Sequence, residues 1–96
     1  MNDETVIARN PDVVARELPD SEGAVLLNVA TGAYHGLNPT GLLTWELIDG
    51  ARSVAELVDG VRGRYPSAPD TLRADVLRFI EGALERDLVR PSGSGG

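Results

Sequence analysis

The sequence predicts an α+β domain in which two or three short strands are followed by three helices. Short apolar runs early in the chain alternate with clusters of turn-forming residues, as strands do. An Asn-Pro pair and a Ser-x-x-Glu box then mark the starts of two helices. Apolar residues recur at helical spacing through the second half. Elements in this order place helices on one face of a small antiparallel sheet.

Length and composition favour one small domain with a modest core. The chain has 96 residues, of which 42% are hydrophobic. Cysteine is absent, which excludes disulfides, thiolate catalysis and Cys-ligated metals. Neither a secretory signal nor an apolar run of about 20 residues is present, so the expected location is the cytoplasm.

The charge balance disfavours nucleic acid as a partner. The net charge is −6, and all nine basic residues are arginines scattered along the chain. Phosphate contacts supply most nucleic-acid affinity, which an acidic chain provides poorly. We expect a neutral or basic partner, or a mainly apolar contact.

The domain is predicted to occupy residues 13–90. Residues 1–12 are polar and are predicted to be a flexible N-terminus, and residues 91–96, PSGSGG, form a linker-like tail. Residues 13–18 form a candidate first strand, and residues 24–29 a central second strand. In the second strand, Val25, Leu27 and Val29 are predicted to face the core.

The third strand, residues 33–37, follows a turn at Thr31-Gly32 and has no obvious partner on its far side. Glycine tolerates the positive φ that such a turn needs. We expect His35 and Leu37 on the inner face and Tyr34 outward or along the edge, although a bulge at Gly32 can invert this assignment. The hypothesis is that this open edge is the working surface.

The first predicted helix runs from residue 39 to about residue 49. Asn38 is its expected N-cap, Pro39 its first residue, and Gly50 its C′ position. Trp45 is predicted to be a core anchor.

The second helix begins at a capping box of Ser53 and Glu56 and ends before Pro66. Gly60 and Gly63 are predicted to lie on its outer faces, where each weakens it by about 1 kcal/mol relative to Ala. The third helix runs to about residue 87. Its central apolar face comprises Leu72, Val76, Phe79, Ile80 and Ala83. A flank beside Phe79 comprises Asp75, Gly82 and Arg86. This apolar face is wider than one helix neighbour covers, so we expect it to be shared with a groove.

Catalytic machinery is not apparent. His35 is the only histidine and has no partner at metal-ligand spacing. Ser53 and Ser67 fit helix caps better than nucleophiles, and the glycines lack phosphate-loop spacing. We therefore predict that the protein is not an enzyme and uses no metal or cofactor.

Three segments together resemble the PqqD-like family, the recognition elements for precursor peptides of ribosomally made, modified natural products. They are LLNVATGAYHGLNPTGLLTWELIDG (26–50), SVAELVDGVRGRYP (53–66) and ADVLRFIEGALERDLV (74–89). The resemblance implies a winged-helix-like fold, with a three-stranded antiparallel sheet followed by three helices. It also implies that a precursor's leader peptide lies antiparallel along the third strand, against the third helix.

On this basis we predict peptide-binding residues on two walls. The strand wall comprises Val29, Tyr34, His35 and Gly36. The helix wall comprises Leu72, Asp75, Val76 and Phe79. For Leu72, Val76 and Phe79, a place in the ordinary core is the alternative interpretation.

The short NVATGAY turn is similar to that of the standalone proteins of lasso-peptide pathways, which pass the leader to a separate cysteine peptidase. The alternatives are a pyrroloquinoline quinone (PQQ)-type chaperone that presents its precursor to a radical SAM enzyme, and a winged-helix DNA-binding regulator. A DNA-binding role predicts a basic recognition helix, whereas the third helix mixes arginines with acidic residues.

Overall fold

Five strands and three helices make up the part of the chain that the computed structural model describes, residues 3–19 and 23–92. The strands are β1 (Ile7–Arg9), β2 (Val13–Glu17), β3 (Ala24–Asn28), β4 (Tyr34–Leu37) and β5 (Val89–Pro91). The helices are α1 (Pro39–Leu47), α2 (Val54–Arg64) and α3 (Thr71–Glu85). The α+β class and the three-stranded antiparallel sheet, in the order β2-β3-β4, are confirmed.

The N-terminal segment differs from the predicted flexible terminus. Residues Ile7–Arg9 form β1, which pairs antiparallel with β5, and the Ile7 side chain is completely buried. Arg9 donates from Nε to the Ile48 carbonyl at 2.8 Å, and its guanidinium lies 5.5 Å from the centre of the Trp45 ring. The ordered fold thus begins before residue 13. It extends through Pro91, and the last four residues of the predicted tail lie outside the described residues.

The predicted core face of β3 is wrong. Ala24, Leu26 and Asn28 point inward, and Val25 and Leu27 are only half-buried. The first four residues of β3 are all apolar, so an alternation of apolar and polar residues could not identify its inner face. Burial of Asn28 is tolerated because its side-chain oxygen accepts hydrogen bonds from the Ala30 and Thr31 amides.

The predicted N-terminal caps of α1 and α2 are both confirmed. The Asn38 side chain accepts a hydrogen bond from the Gly41 amide at 2.7 Å, and Ser53 and Glu56 form a reciprocal capping box. α1 ends at Leu47, two residues earlier than expected. Trp45 is buried in the core, as predicted.

α3 packs its Leu72, Val76, Ile80 and Ala83 side chains into the core. It ends in a Schellman motif, in which the Leu88 amide donates to the Ala83 carbonyl and the Asp87 amide to the Leu84 carbonyl. Asp87 adopts the left-handed conformation, with φ of 57°, that this motif needs. The turn leads the chain directly into β5.

Candidate functional site

β4 is an edge strand of the three-stranded sheet, with β3 as its neighbour on one side. The Asn28 amide donates to the Ala33 carbonyl at 2.8 Å, in register with the β3–β4 pairs. Hydrogen-bonded and non-hydrogen-bonded pairs alternate in an antiparallel ladder. His35 therefore bonds toward β3, whereas Tyr34 and Gly36 present their backbone groups to the free edge.

The two faces of β4 are settled by its pairing with β3. His35 lies opposite Leu26, which is fully buried, so the half-buried His35 side chain is on the helix-facing side. Tyr34 lies opposite Leu27 on the other face and is 72% exposed. Gly32 has the positive φ expected of the turn, 79°, and it does not invert the strand.

A groove separates β4 from the exposed side of α3. Its helix wall carries residues at i, i+3, i+4, i+7 and i+11, which share one stripe of the helix. They are Asp75, Arg78, Phe79, Gly82 and Arg86. Phe79 is only partly buried against the core, so the apolar face of α3 does extend into this groove.

Two depressions divide the groove, and both are lined by Gly36, Leu37, Arg78 and Phe79. The first, which we call the Gly41 depression, has a volume of about 300 Å³ and also contacts Asn38, Thr40, Gly41 and Asp75. The second, the Arg86 depression, has a volume of about 400 Å³ and also contacts Tyr34, His35, Gly82 and Arg86. The depressions follow each other along β4.

Glycines create the space at both ends of the groove. A Cβ atom on Gly41 would lie 3.5 Å from Phe79 Cδ1 and 3.2 Å from Asn38 Oδ1. A Cβ atom on Gly82 would lie 3.1 Å from an Arg86 guanidinium nitrogen. Side chains at these positions would narrow the depressions, so their volume depends on glycine.

The charged groups of the groove are few and largely exposed. Arg78 pairs with Asp75 at 3.3 Å, with both side chains more than half exposed, so solvent screens the pair strongly. Arg86 folds back toward the Gly82 carbonyl at 3.5 Å, at the long limit of a hydrogen bond.

The structure brings five of the predicted site residues together: Tyr34, His35, Gly36, Asp75 and Phe79. Val29, by contrast, is 60% exposed in the loop after β3 and lines neither depression. Leu72 is nearly buried and Val76 completely buried, so both belong to the core beneath the groove. Arg78 was not identified from the sequence, because its place in the groove depends on where β4 lies.

A third depression, of about 670 Å³, adjoins the groove beyond Asn38. It shares Asn38, Thr40 and Asp75 with the Gly41 depression and is otherwise lined mainly by the loop between α2 and α3, including Tyr65. Leu72 forms part of its wall.

The groove contains backbone donors and acceptors, one aromatic ring and a few charges. Within residues 3–19 and 23–92, His, Asp and Glu side chains form no group of three that could hold a metal ion. No described helix is long and apolar enough to span a membrane. This arrangement can pair with an extended chain and receive its side chains.

The sequence matches a family model and curated relatives. Residues 23–89 match the family model described as coenzyme PQQ synthesis protein D (PqqD). A PqqA binding protein of Pseudomonas syringae pv. syringae (strain B728a) is 36% identical over 53 residues, which cover 55% of each chain. One of Azotobacter vinelandii (strain DJ) is 37% identical over 68 residues, covering 71% of this chain and 62% of the relative. The chain thus spans less than two thirds of these curated relatives.

Two solved structures share the fold. The complex of TbiB1 with the TbiA(beta) leader peptide matches with a TM-score of 0.69 and 26% identity, over 86% of this chain and 94% of TbiB1. A lasso peptide synthetase B1 complexed with the leader peptide matches with a TM-score of 0.69 and 20% identity, over 88% and 98% of the two chains.

Proposed function

Because the chain belongs to the PqqD family, we propose that it is a non-catalytic adaptor that binds the leader of a ribosomally made precursor peptide. The leader adds an antiparallel strand to β4 and lies against α3. The observation that carries this proposal is the position of a free strand edge beside two side-chain depressions in one groove. The names of the curated relatives and the TbiB1 complex support a leader as the ligand.

The free edge supplies affinity that is independent of peptide sequence. Tyr34 and Gly36 each offer one N–H and one carbonyl away from β3. Each backbone hydrogen bond contributes a net of about 0.5–1.5 kcal/mol, so pairing at both residues gives a few kcal/mol at most. A dedicated peptide partner also explains why an open edge, normally an aggregation risk, is retained.

The groove selects among peptide sequences through the side chains on the helix-facing side of the added strand. Peptide residues paired with His35 and Leu37 point toward α3, because paired residues share a face. Alternate residues of a strand are about 7 Å apart. The Gly41 depression lies at the Leu37 end and the Arg86 depression at the Tyr34 end, so each receives one of two alternate side chains.

We further propose that the protein is of the lasso-peptide type and works in the cytoplasm, delivering the leader to a separate leader peptidase or other modifying enzyme. The short turn after β3 supports this, and so does the similarity to TbiB1, which is 26% identical and has a TM-score of 0.69. A second candidate function is that of a PQQ-type chaperone, which the names of the two PqqA binding proteins favour.

Two substitutions at Gly36 test strand addition directly. Gly36→Pro removes the N–H that points to the free edge, and it leaves the β3–β4 hydrogen bonds intact because His35 and Leu37 make them. Gly36→Ala is the matched control, since a Cβ there meets nothing within 4 Å. Binding is measured by fluorescence anisotropy, with a labelled synthetic leader of the precursor encoded beside this protein.

We expect Gly36→Ala to bind as the wild type does and Gly36→Pro to bind at least about tenfold more weakly, for the loss of one or more bonds at the edge. Circular dichroism checks that both variants stay folded. Equal binding by a folded Gly36→Pro variant contradicts strand addition at this edge. A wild-type protein that does not bind the leader contradicts the proposed function.

A further inference from the structure

The charged side chains of the groove carry a net positive charge, whereas the whole chain is negatively charged. The net charge is −6, yet the ionised side chains of the two depressions are two arginines and one aspartate. Arg78 is matched by Asp75. Arg86 forms no ion pair among the described residues, so its depression keeps a positive charge.

Arg86 also differs from the arginines that the fold uses structurally. Four of them pair with carboxylates: Arg52, Arg73, Arg78 and Arg90. Arg86 makes a single long contact, from its terminal nitrogen to the Gly82 carbonyl at 3.5 Å. A guanidinium has five N–H donors in a planar fork suited to a carboxylate, so most of its donors are free for a ligand.

The geometry points to a carboxylate as that ligand. We propose that the Arg86 depression binds an Asp or Glu side chain of the peptide, at the helix-facing residue paired with His35. This inference rests on the proposed function, because it needs a strand added to β4. His35 and Arg86 line the same depression, so a side chain that enters it beside His35 meets the guanidinium.

The position of this acidic residue, relative to the peptide residue paired with Leu37, depends on the direction in which the peptide runs along β4. In an antiparallel strand, the residue paired with His35 comes two positions after the one paired with Leu37. The latter enters the Gly41 depression, where Asp75 pairs with Arg78 and leaves the ring of Phe79 to favour an apolar side chain. The recognised pattern is therefore apolar-x-acidic, and a parallel strand would reverse it.

Selection from a displayed library of random 15-residue peptides tests this inference whatever the sequence of the natural leader. The proteins are the wild type, Arg86→Glu and Arg16→Glu. Arg16 is exposed on β2, two strands away from the free edge, and its replacement changes the net charge equally. Thermal melting followed by circular dichroism checks that the variants are folded.

We expect the wild type and Arg16→Glu to enrich Asp or Glu two positions after an apolar residue, and Arg86→Glu to enrich Lys or Arg there. In a selected peptide, replacing the acidic residue with its amide weakens wild-type binding by about fivefold, as for an exposed ion pair. The same replacement does not weaken binding by Arg86→Glu, because it removes the repulsion between two carboxylates. Enriched peptides without this preference, or with one that Arg86→Glu keeps, overturn the inference alone. Failure of the wild type to enrich any peptide overturns the proposed function with it.

Discussion

Gly60 of α2 lies directly against the side chain of Leu47 of α1. A Cβ atom on Gly60 would be 2.9 Å from Leu47 Cδ1, closer than real Cβ contacts occur. The sequence predicted that Gly60 and Gly63 both lie on outer faces of α2. That prediction holds for Gly63, whose Cβ would meet nothing within 4 Å, and is wrong for Gly60, which allows the two helices to approach.

The two glycines should therefore respond differently to alanine. Gly63→Ala is expected to raise the free energy of unfolding by about 0.5–1 kcal/mol, since alanine is the better helix former. Gly60→Ala has the same intrinsic gain, but Leu47 must rotate or the helices must separate, so little or no net gain is expected. Urea denaturation of both variants measures the difference. Equal gains would show that Leu47 yields at no cost.

Tyr34 and Phe79 should both affect peptide binding, to different degrees. Phe79 lines both depressions, so Phe79→Ala is expected to weaken binding at least about tenfold. Tyr34 lies on the opposite face of β4 and offers one cross-strand pair, so Tyr34→Ala should cost about threefold. Tyr65→Ala, outside the groove, is the control for loss of a partly exposed tyrosine. If anisotropy titrations gave the reverse order, the main side-chain contacts of the peptide would lie on the face of β4 that carries Tyr34.

A substitution of Val76 should distinguish the residues of the core from those of the groove. The Val76 side chain on α3 is completely buried, and it lines neither depression. Val76→Ala is expected to lower the free energy of unfolding by about 2 kcal/mol through lost burial and a small cavity. Peptide affinity of the remaining folded protein should change little. A large loss of affinity with unchanged stability would return Val76 to the binding site.

The end of α3 should contribute to acid sensitivity. Arg90 hydrogen-bonds both carboxylate oxygens of Asp87, at 2.9 and 3.1 Å, and this lowers the pKa of Asp87 below its ordinary value of 3.8. A lowered pKa in the folded state stabilises the protein above the unfolded pKa, and this contribution disappears as the pH falls through the folded value.

Asp87→Asn removes that contribution and keeps a side chain that tolerates the left-handed conformation of residue 87. The wild type should therefore lose more stability than Asp87→Asn between about pH 5 and pH 2. Urea denaturation at both ends of this range gives the comparison. Parallel pH profiles for the two proteins would mean that the Arg90 contact does not persist in solution.

Local signals predicted the elements that depend on few residues. The Asn38 cap, the Ser53–Glu56 box and the turn at Gly32 each arise from a side chain or backbone preference within four positions. The family resemblance implied that the third strand and the third helix form the two walls of a groove. Helical spacing then placed Asp75 beside Phe79, and strand alternation separated Tyr34 from His35.

Features that depend on distant partners were not predictable in this way. The inner face of β3 is set by the helices that cover it and by the Asn28 turn, and its uniformly apolar sequence carries no alternation. Strand β1 is only three residues long, and it is held by pairing with β5, by burial of Ile7 and by the hydrogen bond from Arg9 to Ile48. Arg78 enters the groove only once β4 is placed opposite α3.

The pairing of β1 with β5 has a consequence for how the chain folds. Contacts between Ile7 and Pro91 close nearly the whole domain into one loop, whereas the β3–β4 hairpin and the helix pairs form between close neighbours in sequence. The loop-closure entropy of the long-range pair has to be offset by contacts made late, so this two-stranded sheet should form after the groove has taken shape. During synthesis, Ile7 stays without its partner strand until residues 89–91 leave the ribosome.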